Sequence, residues 1–110
     1  MTVIFWRYFM EVKYKIANGV LEIFFFGELD QHSASLCKDA LDNLLDSTLF
    51  SVAVFDLTSL SFTDSTGIGL LLGRYKKISK MGKSVYIKNA KPNVEKVLTT
   101  SGIYSIMPKI

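Results

Sequence analysis

The chain has 110 residues, of which 49% are apolar, and this is enough for one small domain with a single packed core but not for two domains. Its 13 basic and 10 acidic residues give a formal net charge of only +3, which argues against a nucleic-acid partner that is bound through a basic surface. The single cysteine and the lack of a long apolar segment argue against a disulfide-stabilised secreted domain and against a membrane protein, so we expect a cytoplasmic location.

The first nine residues differ in character from the rest of the chain. They are mainly apolar and include four aromatic side chains, Phe5, Trp6, Tyr8 and Phe9. Because residues 10–110 carry the pattern of a complete domain, we interpret residues 1–9 as an N-terminal extension or an additional edge strand. Left exposed, such a segment would be prone to aggregation.

A β-hairpin and a helix are predicted next. Asn18-Gly19, a dipeptide typical of tight hairpin turns, separates an alternating apolar segment from a dense β-branched and aromatic run over residues 20–26. Gly27-Glu28-Leu29-Asp30 then breaks the strand, and Ser33 is placed to cap a helix. Apolar residues recur at helical spacing along this helix, and Cys37 lies on the same stripe, so we predict that its thiol is buried.

The next part of the chain alternates between strand and helix patterns. Residues 51–57 form a continuous apolar run typical of a central strand, and residues 58–62 are predicted to be a loop. A helix with one apolar face follows and ends near Gly82. Its exposed face is predicted to carry four basic side chains, Arg74, Lys76, Lys77 and Lys80.

The last part of the chain completes the expected fold. Residues 84–88 predict a strand, Pro92 suits the first turn of a short helix that ends at Gly102, and a short terminal strand is expected near Ile106. Alternating strands and helices imply right-handed crossovers onto one sheet. We therefore predict an α/β fold in which a single domain contains a mixed sheet of four to five strands, with helices packed mainly on one face.

The polar start of the second helix, Asp64-Ser65-Thr66-Gly67, is the most informative segment for function. Backbone N–H groups are unpaired at a helix start and stabilise negative charge there. A hydrolase would need a base for Ser65, but the only histidine is His32, which we expect at the surface near the first helix. The glycine that a nucleophile elbow needs two positions before the serine is also missing. The sequence contains no His and Cys cluster and no phosphate-binding loop, so we expect neither a metal nor a cofactor.

Three interpretations of this segment remain. The polar residues can simply cap the helix, or Ser65 can be the target of a kinase, since a phosphate adds about −1.5 to −2 charges at the positive end of a helix. In the third interpretation, Asp30, Asp56 and Asp64 form an acidic pocket that binds Mg²⁺ for phosphoryl transfer.

The glycines of the helix favour the kinase-target interpretation. Each glycine lowers helix stability by up to ~1 kcal/mol relative to alanine. Three of them in one helix suggest a surface that another backbone must approach closely, and tight packing against the sheet is the alternative. These glycines are Gly67, Gly69 and Gly73.

Several segments together form one recognisable pattern. They are Gly27-Glu28-Leu29-Asp30, Phe55-Asp56-Leu57, Leu60-Ser61-Phe62, and above all Asp64-Ser65-Thr66-Gly67-Ile68-Gly69-Leu70 followed by Leu72-Gly73-Arg74-Tyr75-Lys76. The pattern closely resembles the STAS domains of bacterial anti-sigma factor antagonists, and the sporulation type of anti-anti-sigma factor in particular. The resemblance spans residues 10–110 and implies a mixed sheet with helices mainly on one side.

The resemblance implies a regulator rather than an enzyme. Members of this kind bind an anti-sigma factor that is also a serine/threonine kinase, and the unphosphorylated antagonist thereby frees the sigma factor. The kinase phosphorylates the antagonist, by motif on Ser65 in this chain, and a PP2C-type phosphatase reverses the modification. Matching positions imply a partner-binding surface that contains Asp30, Asp64, Thr66, Gly67, Gly69 and Arg74. The alternative function is that of a small-ligand or nucleotide-sensing STAS module in a stress or transport complex.

Overall fold

In the computed structural model, which describes residues 1–7 and 9–110, six strands and three helices follow one another along the chain. The strands are β1 (Thr2–Arg7), β2 (Met10–Ala17), β3 (Val20–Leu29), β4 (Val52–Asp56), β5 (Leu60–Thr63) and β6 (Ser84–Lys88). The helices are α1 (Ser33–Ser47), α2 (Ser65–Lys80) and α3 (Pro92–Ser101), and a 3-10 turn follows at Ile103–Ser105. Tyr8, one of the aromatic residues of the predicted extension, lies outside the described residues.

The hairpin predicted at Asn18-Gly19 is confirmed. Asn18 and Gly19 have φ angles of 53° and 79°, the left-handed values that a two-residue type I′ turn requires. The turn brings β2 and β3 into antiparallel register, with Ala17 opposite Val20 and Met10 opposite Gly27. Strand β3 therefore begins at a tight turn and runs on for 10 residues, which is long enough to pair with more than one strand on its other side.

The strand order is β1-β2-β3-β4-β6, and β5 pairs with the far end of β3. Strands β4, β5 and β6 join the sheet in parallel, while β1 and β2 join antiparallel, so the predicted mixed sheet is confirmed. The described residues contain six strands rather than four to five. Residues 58–62, predicted as a loop, include most of β5, a strand too short to show alternation.

Helices cover one face of the sheet. Leu21, Ile23 and Phe25 of β3 are fully buried beneath them, while Glu22 and Phe24 on the opposite face are only half-buried. Cys37 of α1 is also fully buried, as predicted, and burial raises the pKa of its thiol to about 11.

The helices follow their sequence signals at most of their ends. Pro92 occupies the first turn of α3, and Gly102 ends that helix with a φ of 77°. The terminal strand expected near Ile106 is wrong, because the chain forms the 3-10 turn there and returns to the sheet only through one bridge between Ile87 and Lys109. None of the helices that the structure describes has the length and apolar character needed to cross a lipid bilayer.

Candidate functional site

Parallel pairing of β3 with β5 brings the two predicted site loops together. Leu29 lies opposite Thr63 at the carboxyl ends of these strands, and the Thr63 hydroxyl donates a 2.8 Å hydrogen bond to the Leu29 carbonyl. Asp30 and Asp64 are the next residues of the two chain segments. Because paired strands are about 4.8 Å apart, both aspartates leave the sheet at the same edge.

Asp64 provides the cap of α2. Its carboxylate Oδ1 accepts a 3.0 Å hydrogen bond from the Gly67 amide, and its carbonyl accepts one from the Ile68 amide. Ser65 and Thr66 are therefore the first two residues of the helix, and both are exposed. Since Asp64 already supplies the capping oxygen, the helix does not need the Ser65 hydroxyl for this purpose.

Gly67 allows the start of α2 to pack tightly on the end of the sheet. A Cβ at this position would lie 2.2 Å from both the Leu29 carbonyl oxygen and the Thr63 hydroxyl. The alternative explanation for this glycine, tight packing, is therefore correct. At Gly69 and Gly73, a Cβ would meet no atom of a described residue within 4 Å apart from its chain neighbours and the backbone of its own helix, so close approach of a partner remains the prediction for these two positions.

Asp30 organises the neighbouring loop. Its Oδ1 accepts hydrogen bonds from the Ser33 and His32 amides at 3.1 and 2.9 Å, and the amide bond from Ser33 contributes most to holding the pKa of this carboxyl below its usual value. Ser33 is thus the first residue of α1, and the prediction that it caps this helix is wrong. Its hydroxyl instead donates to the Glu28 carbonyl at 2.8 Å, which ties the loop to β3. His32 is exposed, as predicted.

A groove runs between α2 and α3 and begins at Ser65. Ser65 and Ile68 line its α2 side, and one face of α3 forms the other side with Lys96, Val97, Thr100 and Ser101. The groove has a volume of about 440 Å³. Sequence reasoning missed the α3 residues, because nothing in the pattern of α3 indicates which of its faces lies beside Ser65.

Arg74 is not on the exposed face of α2, and that prediction is wrong. The side chain is buried, and its Nε lies 2.9 Å from the Asp42 carboxylate of α1. The N–H is not aimed at the oxygen, so this contact is an ion pair rather than an aligned hydrogen bond. Arg74 lies three residues after the buried Leu71 and therefore on the same side of α2, which faces α1. The Asp42 carboxylate compensates the charge of the guanidinium, so this charge can be buried there. Arg74 therefore contacts α1 and lacks the exposure that a partner-binding residue needs.

The three aspartates of the Mg²⁺ interpretation lie in separate turns. Asp30 and Asp64 bind their own helix starts, as described above. Burial alone would raise the pKa of the Asp56 carboxyl, but hydrogen bonds from the Thr58 hydroxyl at 2.6 Å and the Thr58 amide at 3.0 Å outweigh burial and lower it. Across residues 1–7 and 9–110, no three His, Cys, Asp or Glu side chains come together as metal ligands would. The geometry thus gives the phosphoryl-transfer interpretation no support.

Comparison with known proteins identifies the family. Residues 11–110 match the model of the STAS domain. A protein of Paenibacillus polymyxa named anti-sigma F factor antagonist is 32% identical over 99 residues, which cover 90% of this chain and 85% of that protein. The structure of the anti-sigma factor antagonist SpoIIAA in its unphosphorylated form superposes with a TM-score of 0.75 at 26% identity, covering 90% of this chain and 87% of that one. The Bacillus cell fate determinant SpoIIAA in the phosphorylated form gives a TM-score of 0.67 at 25% identity, covering 90% of both chains. The chain belongs to the STAS domain family.

Proposed function

We propose that this protein is an anti-sigma factor antagonist that works by partner switching. In its unphosphorylated form it binds an anti-sigma factor that is a serine/threonine kinase, and the sigma factor is released. Phosphorylation of Ser65 ends this binding, and a PP2C-type phosphatase restores it. The names of the related proteins and the existence of SpoIIAA in both phosphorylation states support this proposal. The protein itself is a substrate rather than an enzyme, and the cytoplasm is where we expect it to act.

The position of Ser65 is the observation that carries the proposal. It is exposed in the first turn of α2, and Asp64 already provides the cap. A phosphate on Ser65 would lie at the positive end of the helix, where the fold tolerates negative charge. Asp64 is adjacent and Asp30 leaves the sheet beside it, so the phosphate would make an already acidic surface strongly negative. Modification would therefore change what the surface binds without changing the fold.

The partner-binding surface that we propose is smaller than the sequence suggested. It contains Asp30, Asp64, Thr66 and Gly69 around Ser65, all at the edge of the sheet where β3 and β5 end or on the first turns of α2. Gly67 acts from beneath this surface by holding the helix start against the sheet. Arg74 is left out because its side chain is paired with Asp42.

Phosphate mapping tests the function directly. Incubation with the cognate kinase and ATP is expected to add one phosphate, which mass spectrometry finds on Ser65. Ser65→Ala should not be modified, whereas Thr66→Ala, a matched change at the next exposed position, should still be modified. Phosphate found only on Thr66 or elsewhere would contradict the assignment of the site. Tight binding of kinase without any modification would contradict the switch.

We also propose that residues 1–9 are an addition to a STAS domain that spans residues 10–110. The family model begins at residue 11, and β1 lies at the outer edge of the sheet against β2. Ile4 and Phe5 pack against the core from this edge strand, while Trp6 is 75% exposed.

A chain that starts at Met10 tests this division. Loss of Ile4 and Phe5 is expected to lower the free energy of unfolding by about 1–3 kcal/mol in urea denaturation, since two partly buried apolar side chains are removed. Affinity for the kinase should remain within about threefold of the full chain, because a factor of three is under 1 kcal/mol. Trp6→Ser is the control and should leave both quantities unchanged. If the shortened chain does not fold, residues 1–9 belong to the domain itself.

A further inference from the structure

The groove between α2 and α3 has a single charged side chain among the described residues that line it, and this is Lys96. The remaining lining residues are small hydroxyl-bearing or apolar side chains, and Ser65 itself stands at the α2 side. Lys96 is exposed, and it lines the α3 side of the groove, whereas Ser65 lines the α2 side. The residue that we propose as phosphate acceptor therefore shares a cleft with a lysine.

Lys96 has no competing partner in the part of the chain that the structure describes. It takes part in none of the ion pairs found there, whereas five other lysines do. Its neighbour Glu95 is occupied, since its carboxylate accepts hydrogen bonds from Lys109 and from the Tyr104 hydroxyl, both at 2.8 Å. The ammonium group of Lys96 is thus available to an incoming anion.

The two sides of the groove are held in fixed positions. Asn93 of α3 donates a 2.7 Å hydrogen bond to the Ser61 carbonyl of β5, so the start of α3 is attached to the strand that leads into Ser65. Buried Val94 and Leu98 hold α3 on the shared core, and Gly67 holds the start of α2. Ser65 and Lys96 are therefore carried by helices that are anchored to the same sheet and core.

We propose that Lys96 binds the phosphate of phosphorylated Ser65 and that this ion pair spans the mouth of the groove. The inference rests on the proposed function in one respect, that Ser65 carries a phosphate. The pair would cover Val97, which is partly exposed in the groove of the unmodified chain, whereas Ile68 is already buried in the core. Release of the kinase then has two components, the new negative charge beside Asp64 and a groove that no longer admits a side chain of the partner.

The first test measures the phosphate directly. Phosphoserine is incorporated at position 65 during synthesis, so that no kinase is needed, and the pKa of the phosphate is followed by ³¹P NMR. An exposed phosphoserine has a second pKa of about 6, and a nearby ammonium group lowers it. We expect the pKa in the Lys96→Gln chain to be higher than in the unsubstituted chain by at least about 0.3 units. Lys80→Gln, the same change at the far end of α2, should match the unsubstituted chain. Equal values for all three proteins would overturn the proposal.

The second test measures the consequence for binding. For each protein, the kinase Kd is determined with serine and with phosphoserine at position 65. Lys96→Gln is expected to reduce the ratio of the phosphoserine Kd to the serine Kd by about threefold or more, because an exposed ion pair is worth up to about 1 kcal/mol. An unchanged ratio, whether or not the affinity of the serine form falls, would overturn the covering of the groove. Failure of the kinase to modify Ser65 would instead contradict the proposed function and would leave the NMR result standing.

Discussion

Ser65→Asp is expected to weaken binding of the anti-sigma factor kinase by about 10- to 100-fold, which corresponds to about 1.4–2.7 kcal/mol. The new carboxylate would lie next to Asp64 on an acidic surface. A kinase surface that is complementary to the unmodified chain would have to desolvate this carboxylate without supplying a positive charge to pair with it. Ser65→Ala should bind as tightly as the unsubstituted chain and, in the presence of ATP, should not be released. Titration calorimetry gives the affinities, and a pull-down with and without ATP follows release.

Ser65→Asn separates charge from size in this experiment. Asparagine has nearly the shape of aspartate but no charge, so its Kd should stay close to that of the serine form. If Ser65→Asn and Ser65→Asp weaken binding equally, the switch acts by steric exclusion rather than by charge. Equal affinity of the serine and aspartate forms would argue that Ser65 lies outside the kinase interface.

Gly67→Ala is expected to destabilise the fold by about 2–4 kcal/mol, which is a large fraction of the stability of a domain of this size. The added Cβ would lie 2.2 Å from the Leu29 carbonyl oxygen and from the Thr63 hydroxyl. The first of these is a backbone atom within the β3–β5 pair and cannot turn away. To relieve the contact, the start of α2 must move off the sheet, so we also expect weaker kinase binding at temperatures where the variant is folded.

Gly69→Ala is the matched control, since it adds the same methyl group two residues further along α2. Apart from its chain neighbours and the backbone of its own helix, no atom of a described residue lies within 4 Å of that Cβ position, and alanine favours the helix, so the variant should gain up to about 1 kcal/mol. Urea denaturation of the two variants measures both changes. A loss of stability at Gly69 as large as at Gly67 would mean that the cost comes from the helix itself and not from contact with β3.

Sequence patterns predicted the elements whose signals are local. The Asn18-Gly19 hairpin, the buried strand β4 and the apolar face of α2 depend on spacing and turn residues that lie within a few positions of one another. The short strand β5 was missed, because its four residues gain their partner only from the far end of β3. Arg74 was misplaced for a similar reason, since its burial depends on Asp42, which is 32 residues away in the sequence.

The candidate site likewise combines features that local sequence predicts with features that depend on distant parts of the chain. The chemistry of Asp64-Ser65-Thr66-Gly67 could be predicted from the helix start alone, and the role of Ser65 as phosphate acceptor stays a prediction. The packing role of Gly67 requires knowledge of the Leu29 carbonyl, and the position of Lys96 requires the relative placement of α2 and α3. Contacts between distant elements decide these features, and local periodicity does not report them.

The length of β3 affects how the surface can be recognised. One continuous strand pairs with β4 near its start and with β5 near its end, so the loop that carries Asp30 and the helix start that carries Ser65 are anchored to the same rigid element as the core. A partner that binds these two segments has little disorder to remove, and little of its binding free energy is lost to ordering the antagonist. Association should then proceed in a single kinetic phase, with the phosphorylated and unphosphorylated forms differing mainly in how long the complex lasts.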